Sequence, residues 1–320
     1  MKNINLSLMS LLVFMLPACN GETLPGPVLA DNALQIRSVE LPELSGTRAL
    51  GATQLNEIGV YVTDNDHTAL ADAPYVYKLQ NGTWSCDTPP SITVEESASD
   101  YLYAYSPSGL AVTNVLSGSH TVPVTVVADN FTASGQTDYL YGKSDPLTVN
   151  KNSRAVTFTM CHALAKVSFR VLKSNNVEET VTLKKIELLS STARLQTGTS
   201  GVMNLKDGIL NGLASTNSIT LNGSVELNTT QSQPNVSALV APMSAKETRL
   251  SFRLTVELTG TGEPTSPEYS FETAAVNEVQ WKAGFHYVYA ITIDKMGGSL
   301  TNVQIDAWKN DANQNTGIGI

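Results

Sequence analysis

The histidines of this chain, His67, His120, His162 and His286, stand singly, and that spacing limits what chemistry they can do. A zinc site or a general base needs partners at short, fixed intervals. No His-x-x-x-His pair, Gly-x-Ser-x-Gly elbow or phosphate-binding glycine loop occurs. His162 and His286 fall inside alternating patterns, which suits packing or hydrogen bonding better than ligation. Asp64-Asn65-Asp66 offers oxygen ligands to calcium, but the run lacks the glycine and terminal glutamate of a calcium loop and reads as a polar turn. Trp84, Trp281 and Trp308 have faces that stack on sugars, yet each lies in or beside a strand pattern, where an indole is usually core. Tyr101, Tyr103 and Tyr105 share one strand face, either as a wet aromatic ladder or as a ligand platform. These residues predict no catalytic group, no cofactor and no metal.

Cys19 has more telling neighbours. Met1-Lys2-Asn3 is a short n-region with one basic side chain, and Ile4 to Leu16 is apolar or small, the length of a signal-peptide core. It is too short for a spanning helix, which needs ~20 apolar residues. Leu16-Pro17-Ala18-Cys19 then resembles the lipobox of bacterial lipoproteins, in which the cysteine thiol is acylated and the leader is cut before it. Lipid on Cys19 is the expected membrane attachment. Cys86 and Cys161 remain, either as a disulfide in an oxidising envelope or as two small buried thiols; spacing does not choose.

The elements that would position these residues are strands. Leu250 to Leu258 alternates apolar and polar residues, as a half-buried strand with one wet face does. Phe285 to Ile293 alternates similarly, and Ile58–Val62, Tyr101–Tyr105 and Ser237–Val240 are further strand patterns. Tyr75 to Leu79 leads through Gln80-Asn81-Gly82 to Thr83-Trp84-Ser85, a type I′ hairpin signal. Hydrophobic residues make up 42% of the 320, enough for real cores, while charged residues are only 15% against a usual ~25%. The net charge of −9 argues against a nucleic-acid partner. Many short strands with polar turns predict β-sandwiches rather than βαβ units.

One stretch bears on domain organisation. Val156, Phe158, Met160 and Leu164 are apolar at even positions, whereas Val167, Phe169 and Val171 are apolar at odd ones. A one-residue phase change exchanges the faces of a strand, so a bulge, kink or crossing lies near His162 to Lys166. The expected division is a signal peptide over 1–18, a lipidated propeptide with tether and first strand over 19–48, an N-terminal β-sandwich over 49–163, and a C-terminal β-sandwich with its tail over 164–320.

Several stretches resemble the fimbrillin family of Bacteroidales, the subunits and accessory proteins of type V pili. They are the lipobox at Cys19, Thr47-Arg48-Ala49, Ile58-Gly59-Val60-Tyr61, the run Val156 to Val167, Trp281-Lys282-Ala283-Gly284-Phe285-His286-Tyr287, and Ile305-Asp306-Ala307-Trp308. The resemblance implies two tandem transthyretin-like β-sandwiches and a precursor carried to the outer membrane as a lipoprotein. It also implies cleavage by a trypsin-like protease after an arginine, which removes the first strand and lets a strand from another subunit fill the groove.

Carried onto this chain, the resemblance puts cleavage between Arg48 and Ala49, with Gly46 favouring an exposed loop. The strand lost would be Ala33 to Val39. Arg37 is a rival site inside that strand pattern, where pairing should shield it. Ile318 and Ile320 are the candidate donor-strand plugs. Alternatively, Val303 and Ile305 belong to an exchanged strand or complete the chain's own sheet. The implied partners are other pilus subunits, the processing protease, and the outer membrane through lipid on the precursor. A host protein or glycan is a further candidate. The competing expectations are a monomeric surface lipoprotein that binds a glycan or host protein, and a tip or anchor subunit that does not polymerise.

Overall fold

Alternation in the sequence becomes strand wherever the structure, a computed structural model, describes the chain: residues 32–41, 55–113, 120–142, 147–260, 268–295 and 297–307. The first part holds β1 (Gln35–Glu40), β2 (Glu57–Thr63), β3 (Tyr75–Gln80), β4 (Thr83–Ser85), β5 (Asp100–Ser106), β6 (Thr121–Val126), β7 (Leu140–Gly142), β8 (Leu147–Val149) and β9 (Ala155–His162). Next come β10 (Ala165–Lys173), β11 (Thr180–Ser190), β12 (Leu195–Asn204), β13 (Leu210–Asn211), β14 (Ala214–Thr216) and β15 (Ser218–Glu226). The last are β16 (Val236–Val240), β17 (Glu247–Thr259), β18 (Glu268–Glu272), β19 (Val276–Val279), β20 (Phe285–Asp294) and β21 (Gly297–Ala307). All secondary elements among the described residues are strands.

The first sheet runs β1-β9-β7-β5-β2-β3-β4, with β8 beside β5. Its inner face collects Leu34, Ile36, Ile58, Val60, Leu102, Val156, Phe158 and Met160 into one core. The β3–β4 hairpin turns at Asn81 and Gly82, whose φ values of 51° and 79° are the left-handed pair that a type I′ turn requires. Two more sheets, β16-β10-β20-β21 and β15-β11-β17-β18 with β19 beside β17, face each other. Between them lies a second core in which Val167, Phe169, Tyr289 and Ile291 meet Leu183, Ile186, Leu188 and Phe252. Face-to-face sheets with alternating inner residues are the sandwich arrangement.

The chain leaves the first sheet at His162 and enters another at Ala165, with Ala163 and Leu164 as the link. That is the phase change seen in the sequence. Both link residues are buried in a third core with Tyr61, Tyr103, Tyr105, Val122, Val124 and Met203. The same core is closed by β6, which pairs antiparallel with β12.

Strand β17 differs from its expected form. Leu250, Phe252, Leu254 and Val256 are buried, but so are Ser251 and Thr255 on the other face. Strand β18, paired beside β17, supplies hydroxyl and charge partners on that face: Ser251 Oγ donates to Glu272 at 2.5 Å, Thr255 and Ser270 share a 2.8 Å hydrogen bond, and Arg253 reaches Glu272 at 3.2 Å. The polar side is therefore a bonded ladder and only partly wet.

Candidate functional site

Strand β1 is the element on which the expected processing would act. Ile36 points into the first core, together with Leu34 just upstream, and Gln35 and Arg37 face out. The strand pairs parallel with β9 from Gln35–Ala155 to Glu40–Thr159. A bulge between Ile36 and Ser38 leaves Arg37 out of register, so the shielding by pairing expected for Arg37 is incomplete. On its other side the entering chain is held by Leu34 N–H donating to Pro90 O at 2.9 Å and Ile92 N–H donating to Asn32 O at 2.8 Å. The Tyr77 hydroxyl, deep in the core, also donates to Leu34 O at 3.0 Å. Two sides of hydrogen bonding and two apolar anchors thus seat this strand.

Two members of the tyrosine ladder are sealed, and Tyr101 is half-buried. Tyr103 and Tyr105 are buried, and the ring of His120 sits 4.9 Å from those of Tyr61 and Tyr103. Burial pushes the Tyr103 phenol up to about 12. Neither His120 nitrogen has a hydrogen-bond partner among the described residues, and burial, then the neighbouring His67, pushes that imidazole down. Tyr103 and Tyr105 pack with β6 as core, so these two rings are neither a wet ladder nor an open ligand platform. Asp64 holds a polar turn: its Oδ1 accepts from Asp66 N–H at 2.9 Å and Thr68 N–H at 2.8 Å, and His67 adopts φ 61°.

Two histidines sit in buried networks. His162 Nδ1 lies 2.9 Å from Asp138, and His286 Nε2 lies 2.8 Å from Ser168 Oγ, which in turn bonds Ser237 Oγ at 2.8 Å. The Ser168–His286 distance suits a nucleophile and base. Both residues are buried in the sheet, however, and Ser168 passes its bond to a second hydroxyl, so a substrate carbonyl has no approach. Trp281 is fully buried with its Nε1–H on the Tyr289 hydroxyl at 2.9 Å, and Trp84 packs against the first core. No bond joins Cys86 to Cys161, and burial raises the pKa of the Cys86 thiol. Among the described residues no group of three or more His, Cys, Asp or Glu side chains converges as a metal site.

Glu247 gave no signal in the sequence. It opens β17, fully buried, and its carboxylate accepts from the hydroxyls of Ser190, Ser191 (2.7 Å) and Thr192 (3.0 Å) and from Arg249 N–H (3.0 Å). Burial alone would push this carboxyl up, but the donors outweigh it and hold it at about 2.

Cys19, Arg48, Ala49, Trp308, Ile318 and Ile320 lie outside the described residues. Val303 and Ile305 are within β21 and pair with Tyr289 and Tyr287 of the same chain, completing its own sheet.

These features define a class: an all-β protein with face-to-face sheets, in which Glu247, His162 and His286 are held in buried hydrogen-bond networks. The chain belongs to the fimbrillin-like family, whose model matches residues 47–308. Its fold is similar to that of a fimbrial protein from Bacteroides vulgatus, with a TM-score of 0.59 at 12% identity over 78% of this chain and 92% of that one. It is also similar to a protein provisionally assigned to cell adhesion from Bacteroides uniformis, with a TM-score of 0.56 at 18% identity over 87% and 100% of the two chains. A further likeness, to a protein of the same provisional assignment from Bacteroides ovatus, has a TM-score of 0.56 at 21% identity over 87% and 98%. No curated protein matches the chain.

Proposed function

We propose that the protein is a structural and adhesive subunit of a cell-surface pilus, exported as a lipoprotein through Cys19 and assembled by donor-strand exchange after cleavage between Arg48 and Ala49. Family membership supports a pilus or adhesin subunit at the cell surface. The seat of β1 carries the finer reading. This strand lies upstream of Arg48, so a cut there severs it from β2 while leaving the rest of the sheet continuous. Its departure would unpair the β9 edge and empty the places of Leu34 and Ile36. Burial of two such side chains stabilises by about 3–6 kcal/mol, so an open groove invites a replacement strand. Ile318 and Ile320 repeat the two-residue spacing of Leu34 and Ile36, and that match supports the tail of a neighbouring subunit as the donor. Lipid on Cys19 would hold the self-capped precursor at the outer membrane until a protease reaches Arg48. The adhesion partner is a host protein or a glycan.

The test is the N-terminus and intact mass of the protein recovered from the cell surface. The expected chain begins at Ala49 without lipid, and Arg48→Ala should retain the acylated precursor and lose fibre incorporation. Normal fibres from Arg48→Ala would overturn the mechanism. A native chain that begins at acylated Cys19 and keeps β1 would instead identify an anchor subunit or a monomeric binding lipoprotein.

A further inference from the structure

The third core holds a titratable group that has room for only one of its charge states. His120, directly before β6, is fully buried, and neither of its ring nitrogens has a hydrogen-bond partner among the described residues. Its ring is wedged between Tyr61 of β2 and Tyr103 of β5, 4.9 Å from each ring centre. On the other side its carbonyl accepts from Leu205 N–H at 2.8 Å, just past the end of β12. The imidazole therefore stands where the first sheet, β6 and β12 meet. Thr63 Oγ1 is also buried and likewise lacks a partner, so it does not serve the ring.

A neutral imidazole tolerates this seat, because only one N–H goes unmatched. The protonated ring has two N–H donors and a full charge, and burying them without an acceptor or counter-ion is costly. The surroundings supply neither. β2 presents Tyr61 and Thr63, β5 presents Tyr101, Tyr103 and Tyr105, β6 has no ionisable side chain, and β12 ends in Met203 and Leu205. Residues 107–119, which lead into His120, contain no ionisable side chain either. Glu57, Asp64, Asp100, Lys206 and Asp207 complete the charged groups on or beside these strands. What acts on the ring, however, is burial and then His67, whose own proton would add like charge. The other buried histidines differ, since His162 lies against the Asp138 carboxylate and His286 against Ser168 Oγ.

We propose that His120 is an acid-sensitive latch: uncharged, its ring seals the third core against Tyr61 and Tyr103, and taking up a proton releases β6 from the first sheet. The third core joins that sheet to the second sandwich through Ala163, Leu164 and Leu239. The joint between the two halves therefore yields in mild acid while the cores on either side of it stay closed. The open form takes up its proton near the ordinary 6.5, whereas burial pushes the closed form's imidazole below that. Closure is accordingly complete above pH ~6.5, and each pH unit below it favours the open form by up to about tenfold.

The experiment is hydrogen–deuterium exchange of the purified full chain at about pH 7 and about pH 5.5, corrected for intrinsic exchange rates and read peptide by peptide. Protection across Thr121–Val126 should fall roughly eightfold in acid, while β11 and β17 of the second core keep theirs. His120→Phe leaves a ring between the tyrosines with nothing to protonate, and it should hold β6 closed at both pH values. His67→Asn should keep most of the fall, since burial is the larger cause. In the wild type, NMR should find the His120 imidazole still neutral below pH 6.5, a reading that needs no variant to fold. The proposal is overturned if β6 protection does not change with pH, if β11 and β17 lose as much as β6, or if His120→Phe shows the same fall. It is equally overturned if His67→Asn abolishes the fall, or if His120 of the closed protein titrates at 6.5 or above.

Discussion

Replacing Gly59 with valine is expected to cost at least about 3 kcal/mol of folding stability, at the upper end of what overpacking does. Gly59 sits on β2 directly opposite Tyr105, and the tyrosine ring lies back over it. A Cβ at that position would come within 2.6 Å of the ring. The ring has no room to step aside, because it is fully buried and its hydroxyl donates to Leu110 O at 2.9 Å. An aromatic ring covering a cross-strand glycine is a recurrent device that fixes register. Urea unfolding would measure the loss, and a Gly59→Val, Tyr105→Leu double variant should recover much of it through coupling. A Gly59→Val protein that unfolds at the wild-type denaturant midpoint would refute the account.

Glu247→Leu should cost on the order of 4 kcal/mol, because the hydroxyls of Ser190, Ser191 and Thr192 lose a buried acceptor while leucine offers none. Glu247→Gln should recover only part of this, since its amide brings donors where donors already crowd. The native carboxylate also sets an acid response. Its folded pKa of about 2 lies below the ordinary 4.5. Its contribution, about 3 kcal/mol, is therefore complete above pH ~4.5 and is lost as pH falls from there toward ~2. Unfolding midpoints across that range should fall more steeply for the wild type than for Glu247→Leu. Parallel curves would show that the carboxylate is not the group responsible.

How far the sequence could be read depends on the range of each interaction. The burial of Val156, Phe158 and Met160 and the exchange of faces at Ala163–Leu164 are local facts of period two, and they were visible as such. So was the Asn81-Gly82 turn, because φ preference belongs to the residues themselves. Other features depend on partners far along the chain. Tyr103 and Tyr105 read as an aromatic ladder on a wet face, or as a ligand platform, because nothing in β5 shows that β6 packs against them. Ser251 and Thr255 read as wet because nothing in β17 announces the cross-strand partners that β18 provides. Glu247 stands in a polar run, Ser244-Ala245-Lys246-Glu247-Thr248, and its donors are supplied by the end of β11 more than fifty residues earlier in the chain. The seat of β1 was legible only as an apolar alternation; its parallel partner is not.

Those long separations have a consequence for the order of events in folding. Strand β1 finds its mate at Ala155–Thr159, and β10 finds a parallel mate at His286–Ile293, so each pairing must close a loop of over a hundred residues. Closing such loops costs chain entropy before any contact rewards it, and topologies rich in them form slowly. The first core waits for β9, and the second waits for β20. The first core can therefore set once β9 is made, while β10 keeps an unpaired edge until β20 follows more than a hundred residues later, so the two halves of the molecule gain their shape one after the other.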